Sequence, residues 1–106
     1  MTVKLVVIYP RPKHVEAFET LHNRDHVPMA VEKLAGKTKI VATRVLGSPA
    51  GEPPFHRIAE VYFPSMEALE QCAASEGGKR TIGNAVSISS GVAAVFLVAE
   101  EETFVF

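Results

Sequence analysis

The feature that most constrains this chain is that its first and last strand-like segments are apolar on both faces. Residues 3 to 9 read VKLVVIY, β-branched or aromatic apart from Lys4, and residues 92 to 100 read VAAVFLVAE. In the latter, Val92, Ala94, Phe96 and Val98 line one face, while Ala93, Val95, Leu97 and Ala99 line the other. A strand with one wet face alternates apolar and polar side chains, so strands of this kind expect cover on both sides. With 106 residues the chain has room for one core and too little for two, and residues 1–106 are expected to form a single domain.

The segments between these strands carry the other periodicity. Pro10-Arg11-Pro12 ends the first strand, and from Lys13 the spacing predicts a helix with Val15, Phe18, Leu21, His22 and Met29 near one face. Pro28 lacks an amide hydrogen and crowds the preceding turn, so this helix is expected to kink or stop around His26 and Val27. Residues 38 to 46 predict a second strand, and the Gly- and Pro-rich run Gly47 to Pro54 a turn. Residues 55 to 63 predict a third strand with His56, Ile58, Glu60 and Tyr62 on one face and Arg57, Ala59, Val61 and Phe63 on the other. Ser65 is a natural N-cap for a second helix carrying Met66, Leu69 and Ala73, which Gly77-Gly78 is expected to break. Lys79 to Val86 supports only a further turn or two of helix, and Gly91 opens the last strand.

The order strand, helix, strand, strand, helix, strand is the split βαβ arrangement of ferredoxin-like α+β domains, with both helices on one face of a four-stranded antiparallel sheet. The opposite face is then bare, although its strands are not patterned for water. A second copy is the natural cover, and a homodimer packed through its sheet faces is expected. The tail Thr103-Phe104-Val105-Phe106 is expected to fold back or to pack on that partner.

Several function classes are disfavoured. The net charge is −1, with no Lys/Arg block able to neutralise a run of phosphates, so no nucleic-acid partner is expected. No segment has the length to span a bilayer, and the N-terminal apolar run has neither the length nor the cleavage site of a signal peptide. The lone Cys72 permits no internal disulfide, and a cytoplasmic location is expected. Lys79-Arg80 lies outside any phosphate-loop or dinucleotide fingerprint.

Several local strings, in this order and spacing, resemble the EthD family of the dimeric α+β barrel superfamily. They are Tyr9-Pro10-Arg11-Pro12, Val15 to Glu19, His26-Val27-Pro28, Pro53 to Arg57, Ala59 to Phe63 and Ser65 to Leu69. The resemblance implies a ferredoxin-like protomer, a dimer, a pocket between helices and sheet, and a part in oxidative breakdown of small organic compounds. Related barrels resemble cofactor-free monooxygenases, lactone isomerases or aromatic cyclases. Where such chains often carry an aromatic residue near the final strand, this one has Val86-Ser87.

His22 and His26, four apart, form one stripe with Phe18. His26 at a proline-disrupted helix end reads as a general base or as a hydrogen-bond donor to a carbonyl or phenol oxygen, and His-x-Pro recurs in EthD-like chains. The alternative reading is a buried, satisfied histidine. His26 and His22 are the expected catalytic residues, and Tyr9, Phe18, Tyr62 and His56 the expected ligand-binding ones. His56, Glu60 and Tyr62 serve a ligand or an interface according to a register that pattern alone does not fix. Neither metal nor cofactor is expected, because the His pair lacks the Glu of His-Glu-x-x-His and no Cys or acidic cluster completes a tetrahedral set. Three functions compete: an enzyme moving a proton on, or oxidising, a small aromatic or ether-derived compound; a carrier of a hydrophobic intermediate; and a structural dimer with a vestigial pocket.

Overall fold

The computed structural model describes residues 2–89 and 92–106. Strands β1 (Thr2–Pro10), β2 (Lys39–Arg44), β3 (Phe55–Phe63) and β4 (Val95–Glu101) form one antiparallel sheet in the order β2-β3-β1-β4. This is the ferredoxin-like α+β topology that the element order predicts. The doubly apolar β1 takes a central place, between β3 and β4, where both of its edges are paired. The last strand is shorter than its apolar run, beginning at Val95, and Gly91 lies outside the described residues.

Register decides which side chains meet the helices. Val3, Leu5 and Val7 of β1 stand opposite Phe63, Val61 and Ala59 of β3, and all six pack in the core beneath the helices. Phe96 of β4, opposite Val7, and Ile40 of β2, opposite Val61, join that side. The alternate residues point to the bare face. There the end nearest Glu101 is polar: Lys4 pairs with Glu60 and Glu101, and Tyr62 donates to Glu101 Oε1 at 2.6 Å. Lys39 Nζ sits 4.2 Å from the Tyr62 ring centre. Toward the other end the face is built from Val6, Ile8, Val41, Ile58, Val95 and Leu97, with Leu97 47% exposed. Charged and apolar halves therefore divide this face, and Glu60 and Tyr62 take the interface side of the two alternatives that the sequence leaves open.

Three local expectations change. The first helix does not stop around His26 and Val27, and the disruption there is a π-helical turn that ends at His26. The helix runs as α1 (Val15–Leu21), a π-helical turn (His22–His26) and α2 (Val27–Lys33), with Pro28 in the first turn of α2, directly after the π turn. Gly77-Gly78 does not break the second helical region either. The break falls at Ser75, between α3 (Met66–Ala74) and α4 (Glu76–Ile88), and the Ser75 side chain caps α4 by accepting from Gly78 N at 3.0 Å. Glycine serves close approach instead: a Cβ on Gly78 would lie 1.8 Å from the Cys72 carbonyl oxygen, and one on Gly77 2.3 Å from that of Lys33. The tail does not fold back on its own chain, since Phe104, Val105 and Phe106 are all exposed.

Candidate functional site

The helices do not close completely on the sheet. Between them lies a cavity floored by Leu5, Val7, Ile40, Ala42, Ala59, Val61 and Phe96 and roofed by Val27, Ala30, Leu34, Ile82 and Ala85, with His22, His26 and Thr81 as its polar lining. The cavity has a volume of about 60 Å³, room for a small organic guest.

The π turn sets the histidines. Val27 N–H donates to the His22 carbonyl, five residues back, which widens the helix by one residue just where both imidazoles leave it. The rings end 5.7 Å apart, centre to centre, and both are buried. His26 is held at both nitrogens: Nδ1 lies 2.9 Å from Asn84 Oδ1 on α4, and Nε2 lies 3.2 Å from the Tyr9 hydroxyl on β1. An amide oxygen only accepts, so Nδ1 donates its proton to Asn84 and Nε2 accepts from the Tyr9 O–H. His22 stacks on Phe18 with ring centres 5.6 Å apart, meets Tyr9 edge-on, and turns Nδ1 toward Asn23 Oδ1 at 3.4 Å.

Electrostatics keeps this group neutral. Burial pushes both histidines below their ordinary value of 6.5, against the pull of Asn23 on His22 and of Asn84 on His26. Burial also drives the Tyr9 hydroxyl well above the usual tyrosine value, so it remains a donor. At neutral pH the site therefore combines two uncharged imidazoles with a phenol that keeps its proton.

Behind Phe18 lies a charged network. Glu19 of α1 accepts two hydrogen bonds from Arg57 of β3, both 2.8 Å, and the Arg57 guanidinium holds its carboxyl down at about 2. His56 joins Arg57 on the helix side of the sheet, contrary to its expected alternation with Ile58, Glu60 and Tyr62. A register shift between Tyr9 and Pro10 accounts for this, because a bulge lets two successive residues of the partner strand serve one side. The His56 ring packs edge-on against Phe18 at 5.5 Å, and its Nε2 lies 3.4 Å from Glu19 Oε2 without a hydrogen bond.

Of the residues expected from sequence, the structure puts His22 and His26 on the cavity wall, Tyr9 and Phe18 directly behind them, and His56 one layer further back. Tyr62 is corrected: its register with Lys4 turns it to the bare face, with its hydroxyl on Glu101. Asn84, Thr81 and Phe96 escaped the sequence reading. Asn84 alone left a signal, since an amide side chain is a poor choice inside a helix unless a tertiary partner uses it. Among the described residues, no group of three His, Cys, Asp or Glu side chains converges as a metal site, and no helix is long and apolar enough to cross a membrane.

The fold of this chain is shared by several known structures. An ethyl tert-butyl ether degradation (EthD) family protein from Bacillus halodurans C-125 is 29% identical, with a TM-score of 0.90 over 96% of this chain and 100% of its own. A dimeric ferredoxin-like protein of unknown function from Jannaschia sp. shares the fold at 13% identity, with a TM-score of 0.71 over 95% of this chain and 100% of its own. SnoaB, a cofactor-independent oxygenase from Streptomyces nogalater, also shares it at 13% identity, with a TM-score of 0.66 over 97% of this chain and 95% of its own. No curated protein matches the sequence. The EthD domain matches residues 11–86, and the chain belongs to the EthD family.

Proposed function

We propose that two copies of this chain pair through the bare faces of their sheets and that each copy binds a small, largely apolar organic molecule in its cavity, with His26 as acid or base in an oxidative degradation. The carrying observation is His26 itself, a neutral imidazole on an otherwise apolar wall, gripped between the Tyr9 hydroxyl and Asn84. To take a proton from a guest, His26 Nε2 must exchange the Tyr9 hydroxyl for the guest, since both of its nitrogens are otherwise engaged. The likeness to SnoaB supports chemistry without a cofactor, and the Jannaschia protein, together with the exposed Val95 and Leu97, supports the dimer. We place the protein in the cytoplasm as a single-domain protomer. Incubating the protein in air with single-ring phenols and ethers, with products read by mass spectrometry, tests the chemistry. Turnover that vanishes in His26→Ala while light scattering still reports a dimer supports the reading, and turnover unchanged by that substitution refutes His26.

A carrier is the second reading. It is favoured by the cavity's lining, which beyond the histidines and Thr81 is entirely apolar. Guest binding with no product under any of these conditions would select it.

A further inference from the structure

The hydrogen bonds around the cavity leave an imbalance. Both histidines turn Nδ1 to an amide oxygen, Asn84 Oδ1 for His26 and Asn23 Oδ1 for His22, so each neutral ring keeps its proton on Nδ1 and its lone pair on Nε2. His26 Nε2 receives the Tyr9 O–H. His22 Nε2 receives nothing from any described residue, although the residue is only 2% exposed and lines the cavity. Among the described residues the one other polar group of the lining, Thr81, donates its hydroxyl proton to the Gly77 carbonyl at 2.7 Å. The cavity thus presents an unmet acceptor and no spare donor. It is also uncharged, with no Asp, Glu, Lys or Arg in its lining, and nearby Arg57 is taken by Glu19.

We propose that the cavity selects a small, uncharged alcohol or phenol whose O–H donates to His22 Nε2. The inference rests on the reading of the cavity as a ligand site and goes further by naming the group the ligand must carry. A hydrocarbon leaves this nitrogen without a partner, and an ether sets a lone pair against a lone pair. A carboxylate meets no cation. Sites built around a hydrogen bond discriminate strongly against analogues that lack the donor.

Calorimetric titration of the full chain with phenol, anisole and toluene tests this. Phenol should bind tighter than either of the others, by a factor of about ten or more. In wild type, phenol and not anisole should shift the ¹⁵N resonance of His22 Nε2. His22→Phe retains a ring to stack on Phe18 and should bring the phenol-to-toluene ratio close to one while toluene still binds. Equal affinities in wild type, or a phenol preference that survives in His22→Phe with no ¹⁵N response in wild type, overturns the inference and leaves the cavity a ligand site. Failure of all three compounds to bind overturns the cavity reading and this inference with it.

Discussion

Tyr9 and Tyr62 stand on neighbouring strands of one sheet and do opposite things. Tyr9 faces the helices, is almost wholly buried, and donates to a neutral imidazole. Tyr62 lies on the bare face, donates to the Glu101 carboxylate, and has Lys4 and Lys39 over its ring. The hydroxyl is the same, but its surroundings differ in kind. Under the helices, where burial disfavours charge, every group at the cavity is uncharged and its hydrogen bonds run between neutral partners. On the bare face, lysines and carboxylates neutralise one another beside an apolar half. The first arrangement suits a small uncharged guest, the second a large surface whose charged end fixes orientation while its apolar end supplies contact area.

Substitutions on each side can break this contrast. Phe18→Ala removes the ring that backs both His22 and His56, and should cost about 3–5 kcal/mol in urea unfolding. Leu97→Asp places a charge in the apolar half of the bare face. If a second copy covers that half, association weakens by at least about a hundredfold, roughly 3 kcal/mol. Light scattering would then show a monomer at micromolar concentration, and an unchanged mass would mean that this face serves no partner. The tyrosines give the smallest effects and the sharpest pair. Tyr9→Phe leaves His26 Nε2 without its donor and should cost roughly 1–2 kcal/mol, whereas Tyr62→Phe, on the open side, should leave the thermal midpoint in place. Equal effects at the two positions would erase the distinction between the faces.

Much of this was legible in the sequence, and what was not has physical causes. The alternation in residues 92 to 100 correctly separates Phe96, on the helix side, from Val95 and Leu97 on the other. The four-residue spacing of His22 and His26 correctly puts both on one wall, even though the helix between them is a π turn. Strand register was the weak link. A one-residue slip moves a side chain to the other face, so the bulge at Tyr9/Pro10 brought His56 to the helix side while Tyr62 stayed away from it. Asn84 comes from α4, a helix whose Gly77, Gly78 and Gly83 argue against a long helix, until the close approach to Cys72 and Lys33 explains the first two.

The neutrality of the cavity histidines is the claim on which the rest stands, and a ¹⁵N-detected titration of His22 and His26 between about pH 5 and 8 reads it directly. Burial lowers both folded-state values below 6.5, so in this range the unfolded chain takes up protons that the fold refuses. Stability is therefore full above pH 6.5 and falls as the pH drops below it. Both rings should titrate below 6.5, each less protonated at a given pH than an ordinary histidine and with the neutral form's proton on Nδ1. Midpoints at or above 6.5, or protons found on Nε2, would contradict the account.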